Sequence, residues 1–190
     1  MERTVALLLI ALMSFVGCGP TTTGNSSMTS EPAWKSALRT HLPLLGHRNW
    51  ILVVDKAFPE QNAPGLVMID TDAELLDVLN YTLTQIDSSS HVKPIVYCDA
   101  ELPHITKEQV PEIDAFRAAL GKSLHGVTPQ VILHESVFQK IDEASKLFKV
   151  LVLKTNGTIA YSSVFLQLDC KYWSAEKEAA LRQSMKTAAK

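Results

Sequence analysis

The chain has 190 residues, with 18 Lys+Arg against 20 Asp+Glu and a formal charge of −2, which disfavours nucleic-acid binding and an acidic tail. Hydrophobic residues make up 46% and charged residues 20%, an ordinary globular balance that excludes wholesale disorder. Three cysteines are too few for a disulfide scaffold.

The chain opens on an apolar run, Val5 to Val16, interrupted only at Ser14 and preceded by Glu2 and Arg3. A bilayer span needs about 20 such residues, so the run is too short to anchor the chain and suits the core of a signal peptide. Phe15-Val16-Gly17-Cys18 resembles a bacterial lipobox, with Phe where Leu is usual. The resemblance implies cleavage after residue 17, lipidation of Cys18, and an exported, membrane-anchored lipoprotein of the bacterial cell envelope. Residues 18–33 are polar and nearly uncharged until Glu31, and read as a flexible tether.

From residue 34 to 190 the pattern alternates. Trp34, Leu38, Leu42 and Leu45 recur at helical spacing, broken by Pro43. Trp50 to Val54 is a continuous β-rich run, as a strand buried on both faces would be, and residues 66–69 repeat it. Asp70, Thr71 or Asp72 offers a cap to a helix with Leu75, Leu76, Leu79, Leu83 and Ile86 on one face. Residues 94–98 form a third strand. The pattern predicts a helix over 107–121, with Gly121 just past its end, and a short strand over 130–133.

Phe138, Ile141, Ala144 and Phe148 mark a further amphipathic helix. Strands over 150–153 and 159–168 flank the turn signal Asn156-Gly157. Ser174 is placed to cap a charged helix over 175–188. The sum is an α/β fold: a single domain whose mostly parallel sheet is flanked by helices. Ligands in such sheets bind beyond the carboxyl ends of the strands, where Asp55, Asp70 and Asp99 stand.

None of the six histidines shows tight metal-ligand spacing, so no metal site is expected. The absence of a P-loop, a G-x-G-x-x-G fingerprint or a G-x-S-x-G elbow disfavours nucleotide cofactors and the commoner hydrolases. Cys98 ends an apolar strand and reads as a small buried hydrophobe. Pairing of Cys98 with Cys170 stays open.

Leu45-Gly46-His47 is followed by a strand, by Asp55 eight residues after the histidine, and by Phe58-Pro59. This order resembles the signature of the RbsD/FucU family of ribose pyranases and fucose mutarotases. Thr155-Asn156-Gly157 with Tyr161-Ser162-Ser163 and a following apolar strand is similar to a second family segment. There Asn156-Gly157 replaces Gly-Glu, and Ser162-Ser163 replaces Gly/Ala-Asn. His134-Glu135 with Phe138 resembles a third segment, with a longer gap to Tyr161.

The resemblance implies interconversion of the cyclic forms of a monosaccharide without metal or nucleotide. It implies His47 as general acid/base, with Asp55, His134, Tyr161, Ser162 and Ser163 contacting the sugar. It also implies a homo-oligomer with its sites at subunit interfaces. The residues themselves equally allow structural roles: a turn at His47, an Asx turn at Asp55, cross-strand packing by Tyr161 and a helix cap at His134. The alternative to turnover is a sugar- or metabolite-binding lipoprotein on the same fold.

Overall fold

The computed structural model describes residues 31–188. The leader, Cys18 and most of the tether therefore lie outside the described residues. Six strands, β1 (Trp50–Val54), β2 (Leu66–Asp70), β3 (Val92–Asp99), β4 (Gln130–Ile132), β5 (Val150–Lys154) and β6 (Val164–Cys170), make one sheet in the order β2-β5-β1-β6-β3-β4. Five strands run in one direction, and only β6 is reversed, antiparallel to β1 and β3.

The alternation of β1 explains the layering. Ile51 and Val53 enter a core built with Leu38, Leu79, Ile86 and Ile113. These come from α1 (Ala33–His41), α2 (Leu75–Ser88) and α3 (Ile113–Ser123). Trp50, Leu52 and Val54 face the other way, onto Val137 and Ile141 of α4 (His134–Leu147). Both faces of the strand are covered, which is why its sequence is apolar throughout. α5 (Ala175–Ala188) follows the sheet and exposes most of its side chains. Among the described residues no helix is long and apolar enough to cross a membrane.

Several expected boundaries shift for local reasons. The first helix yields at His41 to a 3-10 turn over Leu42–Leu44, because Pro43 has no N–H for an α-helical bond. α3 begins at Ile113 rather than 107, beyond Pro111, and Gly121 lies inside it. None of Asp70, Thr71 and Asp72 caps α2, whose first turn has no side-chain cap. Ser174 does cap α5, its Oγ accepting the Lys177 N–H.

The larger correction concerns Asn156-Gly157. β5 and β6 are not a hairpin, because β1 lies between them and pairs with both. Residues 155–163 instead cross the end of β1, and the strand starts at Val164, not 159. Thr155 Oγ1 donates to Val54 O at 2.8 Å, and the Asn156 N–H donates to Ala73 O at 2.9 Å, which fastens the crossing.

Among the described residues Cys98 and Cys170 are free. Cys98 pairs across the ladder with Val164 and Cys170 with Val92, at opposite ends of the β3–β6 pair. Six residue steps at about 3.3 Å per residue put them roughly 20 Å apart, beyond disulfide reach. Burial, helped by the Asp99 charge, pushes the Cys98 thiol up to about 12, so it stays an unreactive core residue.

Candidate active site

At the carboxyl end of the parallel strands lies a cleft of about 570 Å³. Asp55, Phe58, His134, Phe138 and Tyr161 line it. Three of the predicted site residues, Asp55, His134 and Tyr161, thus meet around one cavity. The topology causes this: Asp55 leaves β1, His134 begins α4 just after β4, and Tyr161 sits on the crossing that enters β6.

Asp55 is held from two sides. Its Oδ1 accepts the Ala57 N–H at 2.9 Å, the expected Asx turn, and its Oδ2 accepts the Ser163 hydroxyl at 3.1 Å. Ser163 Oγ also accepts the Asp55 N–H at 3.1 Å, so Ser163, itself buried, fixes the carboxylate from behind. Ser162 is buried too and turns away, donating to Ile159 O at 2.6 Å and facing a separate hollow beside Leu75. These side chains are supports for the cleft rather than part of its lining.

His134 Nδ1 lies 3.0 Å from Oδ2 of Asp99, the last residue of β3. The His134 N–H donates to both Glu101 carboxylate oxygens at 3.2 Å. An ionised Asp99 can only accept, so it fixes the proton on Nδ1 and leaves Nε2 with a lone pair. Among the described residues Nε2 has no hydrogen-bond partner. Asp99 is 1% exposed, and its Oδ1 is without a hydrogen-bond partner among the described residues. Burial pushes its carboxyl up to about 6, with His134 partly offsetting the rise.

The His134 ring meets Tyr161 edge-on at 5.2 Å and Phe138 at 4.8 Å, and Phe138 stacks on Phe58 at 5.4 Å. Tyr161 has φ of 57°, the left-handed region that costs a bulky residue on the order of 1 kcal/mol or more. Contacts on either side hold the crossing: Gly157 O accepts the Lys56 N–H at 2.8 Å, and Ile159 O accepts the Ser162 hydroxyl at 2.6 Å. The Tyr161 ring lies across from the imidazole. The sequence pattern alone missed the grip of Asp99 on His134 and of Ser163 on Asp55. The one signal for Asp99 was its place at a strand end.

His47 is elsewhere. It sits in the turn before β1, and five strand residues at about 3.3 Å each separate it from Asp55 by roughly 17 Å. Its Nδ1 is 3.0 Å from Asp169 Oδ1, near the other end of β6, and Lys93 Nζ is 3.6 Å from Asp169 Oδ2. Partial burial pushes the Asp169 carboxyl up, but the Cys170 backbone, His47 and Lys93 outweigh it and hold it below the usual range. This end carries its own hollow of about 600 Å³, lined by His47, Asp169, Trp173 and Glu178 among others. Each end of the sheet therefore presents a histidine oriented by an aspartate.

Neither the scan against family models nor the search of curated proteins finds a match. Solved structures do resemble the chain. RbsD of Bacillus subtilis complexed with D-ribose aligns with TM-score 0.50 and 19% identity over 70% of this chain and 92% of that one. FucU of Bifidobacterium longum aligns at 0.48 and 11%, covering 70% and 94%. The fucose mutarotase of Streptococcus pneumoniae in complex with L-fucose aligns at 0.46 and 18%, covering 73% and 92%. The first likeness carries the conclusion, which concerns architecture: the chain has the RbsD fold.

Proposed function

We propose that the protein interconverts the cyclic forms of a reducing monosaccharide, in a site completed between two copies of the chain. The observation that carries the reading is the convergence of Asp55, Tyr161 and the Asp99-held His134 on one cleft. D-Ribose and L-fucose in the similar structures make a sugar of that size the natural candidate.

Opening a cyclic hemiacetal requires one proton delivered to the ring oxygen and one removed from the anomeric hydroxyl. The bond between the anomeric carbon and the ring oxygen breaks, leaving an open-chain carbonyl. Closure reverses the proton movements and selects the other anomer or ring size. An imidazole of ordinary pKa about 6.5 serves in either direction near neutrality. His134 Nε2 faces this task from within the cleft. In this reading His47, kept in orientation by Asp169, is the second acid/base, and because it is far from Asp55 within one chain it is assigned to the cleft of a neighbouring copy. Asp55 binds a sugar hydroxyl, Tyr161 bridges another or relays a proton, and Ser163 positions Asp55.

Sugar exchange measured by saturation-transfer NMR on D-ribose and L-fucose tests both halves of the reading. His47→Ala and Asp55→Asn are each expected to lose at least about a hundredfold in rate. Mixed at equal amounts under exchange of subunits, they are expected to regain about a quarter of the parental rate, because that fraction of shared sites has both groups intact. Full exchange in His47→Ala would remove the acid/base role, and no recovery on mixing would remove the shared site. Binding of sugar with no acceleration in the parent protein would favour the non-catalytic alternative.

A further inference from the structure

The hollow around His47 contains a feature that the proton chemistry does not use. Tyr172 and Trp173 lie two and three residues beyond the end of β6, and Trp173 is 41% exposed. The indole is nevertheless ordered: its Nε1–H donates to Glu178 Oε2 at 2.9 Å, while Arg182 Nε donates to Glu178 Oε1 at 2.6 Å. Ser174 caps the helix that carries Glu178 and Arg182. Leaving a large aromatic in water forgoes its burial energy, and holding it still adds an entropic cost. Such a side chain is pre-organised for something that arrives later.

We propose that the segment Asp169–Glu178 is the aromatic wall of the sugar site to which His47 belongs, with Trp173 as the platform for the apolar C–H face of a pyranose. The proposal rests on the reading of His47 as an acid/base. A pyranose is amphipathic, with axial C–H groups on one face and hydroxyls round its edge. An indole takes the former by contact, and carboxylates take the latter. The hollow supplies both, since Trp173 and Glu178 share its wall with Asp169 and His47. Sugar seated against Trp173 would present its rim to the imidazole, so the segment sets affinity and ring preference while His47 moves the proton.

Trp34 and Trp50 are buried, which leaves Trp173 as the indole that an added sugar can reach. Titration of the full-length protein with D-ribose and with L-fucose is expected to change tryptophan fluorescence saturably. Trp173→Phe is expected to abolish that signal and to raise KM less than Trp173→Ala, because a phenyl ring keeps part of the contact face. Trp173→Ala is expected to raise KM roughly three- to ten-fold while the catalytic step stays nearly as fast. An unchanged KM in Trp173→Ala, alongside an inactive His47→Ala, overturns the aromatic wall and leaves the His47 reading standing. Full activity in His47→Ala overturns both. Absence of any saturable fluorescence change with either sugar overturns the platform whether or not turnover is seen.

Discussion

Asp99 concentrates the conflict between stability and chemistry in one side chain. Its carboxyl is buried, half unpartnered and raised to about 6 in the folded protein, against about 3.9 in an unfolded chain. Between those values the folded state holds the proton that the unfolded state has released. Stability from this group is therefore greatest at low pH and falls as pH rises from about 4 to about 6, staying lower above that. Asp99→Asn is expected to flatten this slope in urea titrations and to add roughly 2 kcal/mol at pH 7. The same change replaces an acceptor-only carboxylate with an amide that can also donate, so the tautomer of His134 is no longer fixed and sugar exchange is expected to fall at least about tenfold. A variant that is less stable at pH 7, or one with the parental pH slope, would show that the Asp99 charge does not carry the cost.

Asp55, His134 and Tyr161, which line the cleft, stand out through the resemblance of three short segments to a known family, each segment being local in sequence. Asp99 and His134 are 35 positions apart, and Ser163 and Asp55 are 108 apart, so nothing local marks these pairs. The separation of His47 from the cleft is legible in principle, because the strand over Trp50–Val54 already puts His47 and Asp55 at opposite ends of the sheet. The family resemblance, which assigns both residues to one site, masks that consequence.

At the scale of elements, the periodic segments found their places and the joints moved. β1 and α2 were visible because a strand buried on both faces and a helix buried on one each impose their own apolar period. Asn156-Gly157 misled because a turn signal fixes a local reversal, whereas β1 takes the position beside β5 through long-range pairing. One joint is defined by sterics. The Gly65 N–H donates to Ser145 O at 3.1 Å and its carbonyl accepts the Val150 N–H at 3.0 Å, tying the end of α4 to the start of β2 and β5. A Cβ there would run into the backbone carbonyls of Ser145 and Phe148, which have no free rotor to swing aside. Gly65→Ala is expected to cost about 2 kcal/mol or more, read as a lower urea midpoint. An unchanged midpoint would mean that the joint is looser than its contacts indicate.

For the whole molecule, we propose export with a lipid on Cys18, supported by the apolar run to Val16 and the residues around the cysteine. A single acyl chain binds membranes only marginally, and stable anchoring takes two or more. Cys18→Ser is therefore expected to move the protein from the membrane to the soluble fraction of a bacterial expression host and to abolish labelling by a fatty-acid probe. Membrane retention of the unlabelled variant would overturn the assignment.

The strand that joins the sheet is also the last one synthesised. β6 lies between β1 and β3, so until residue 170 has emerged the chain lacks the strand that joins β2-β5-β1 to β3-β4. Cooperative closure of the sheet must wait for β6, and a long-range pairing of this kind is slow. Under the export proposed from the leader sequence, a precursor that cannot close early would stay threadable, which is the state a secretion pore requires of its cargo.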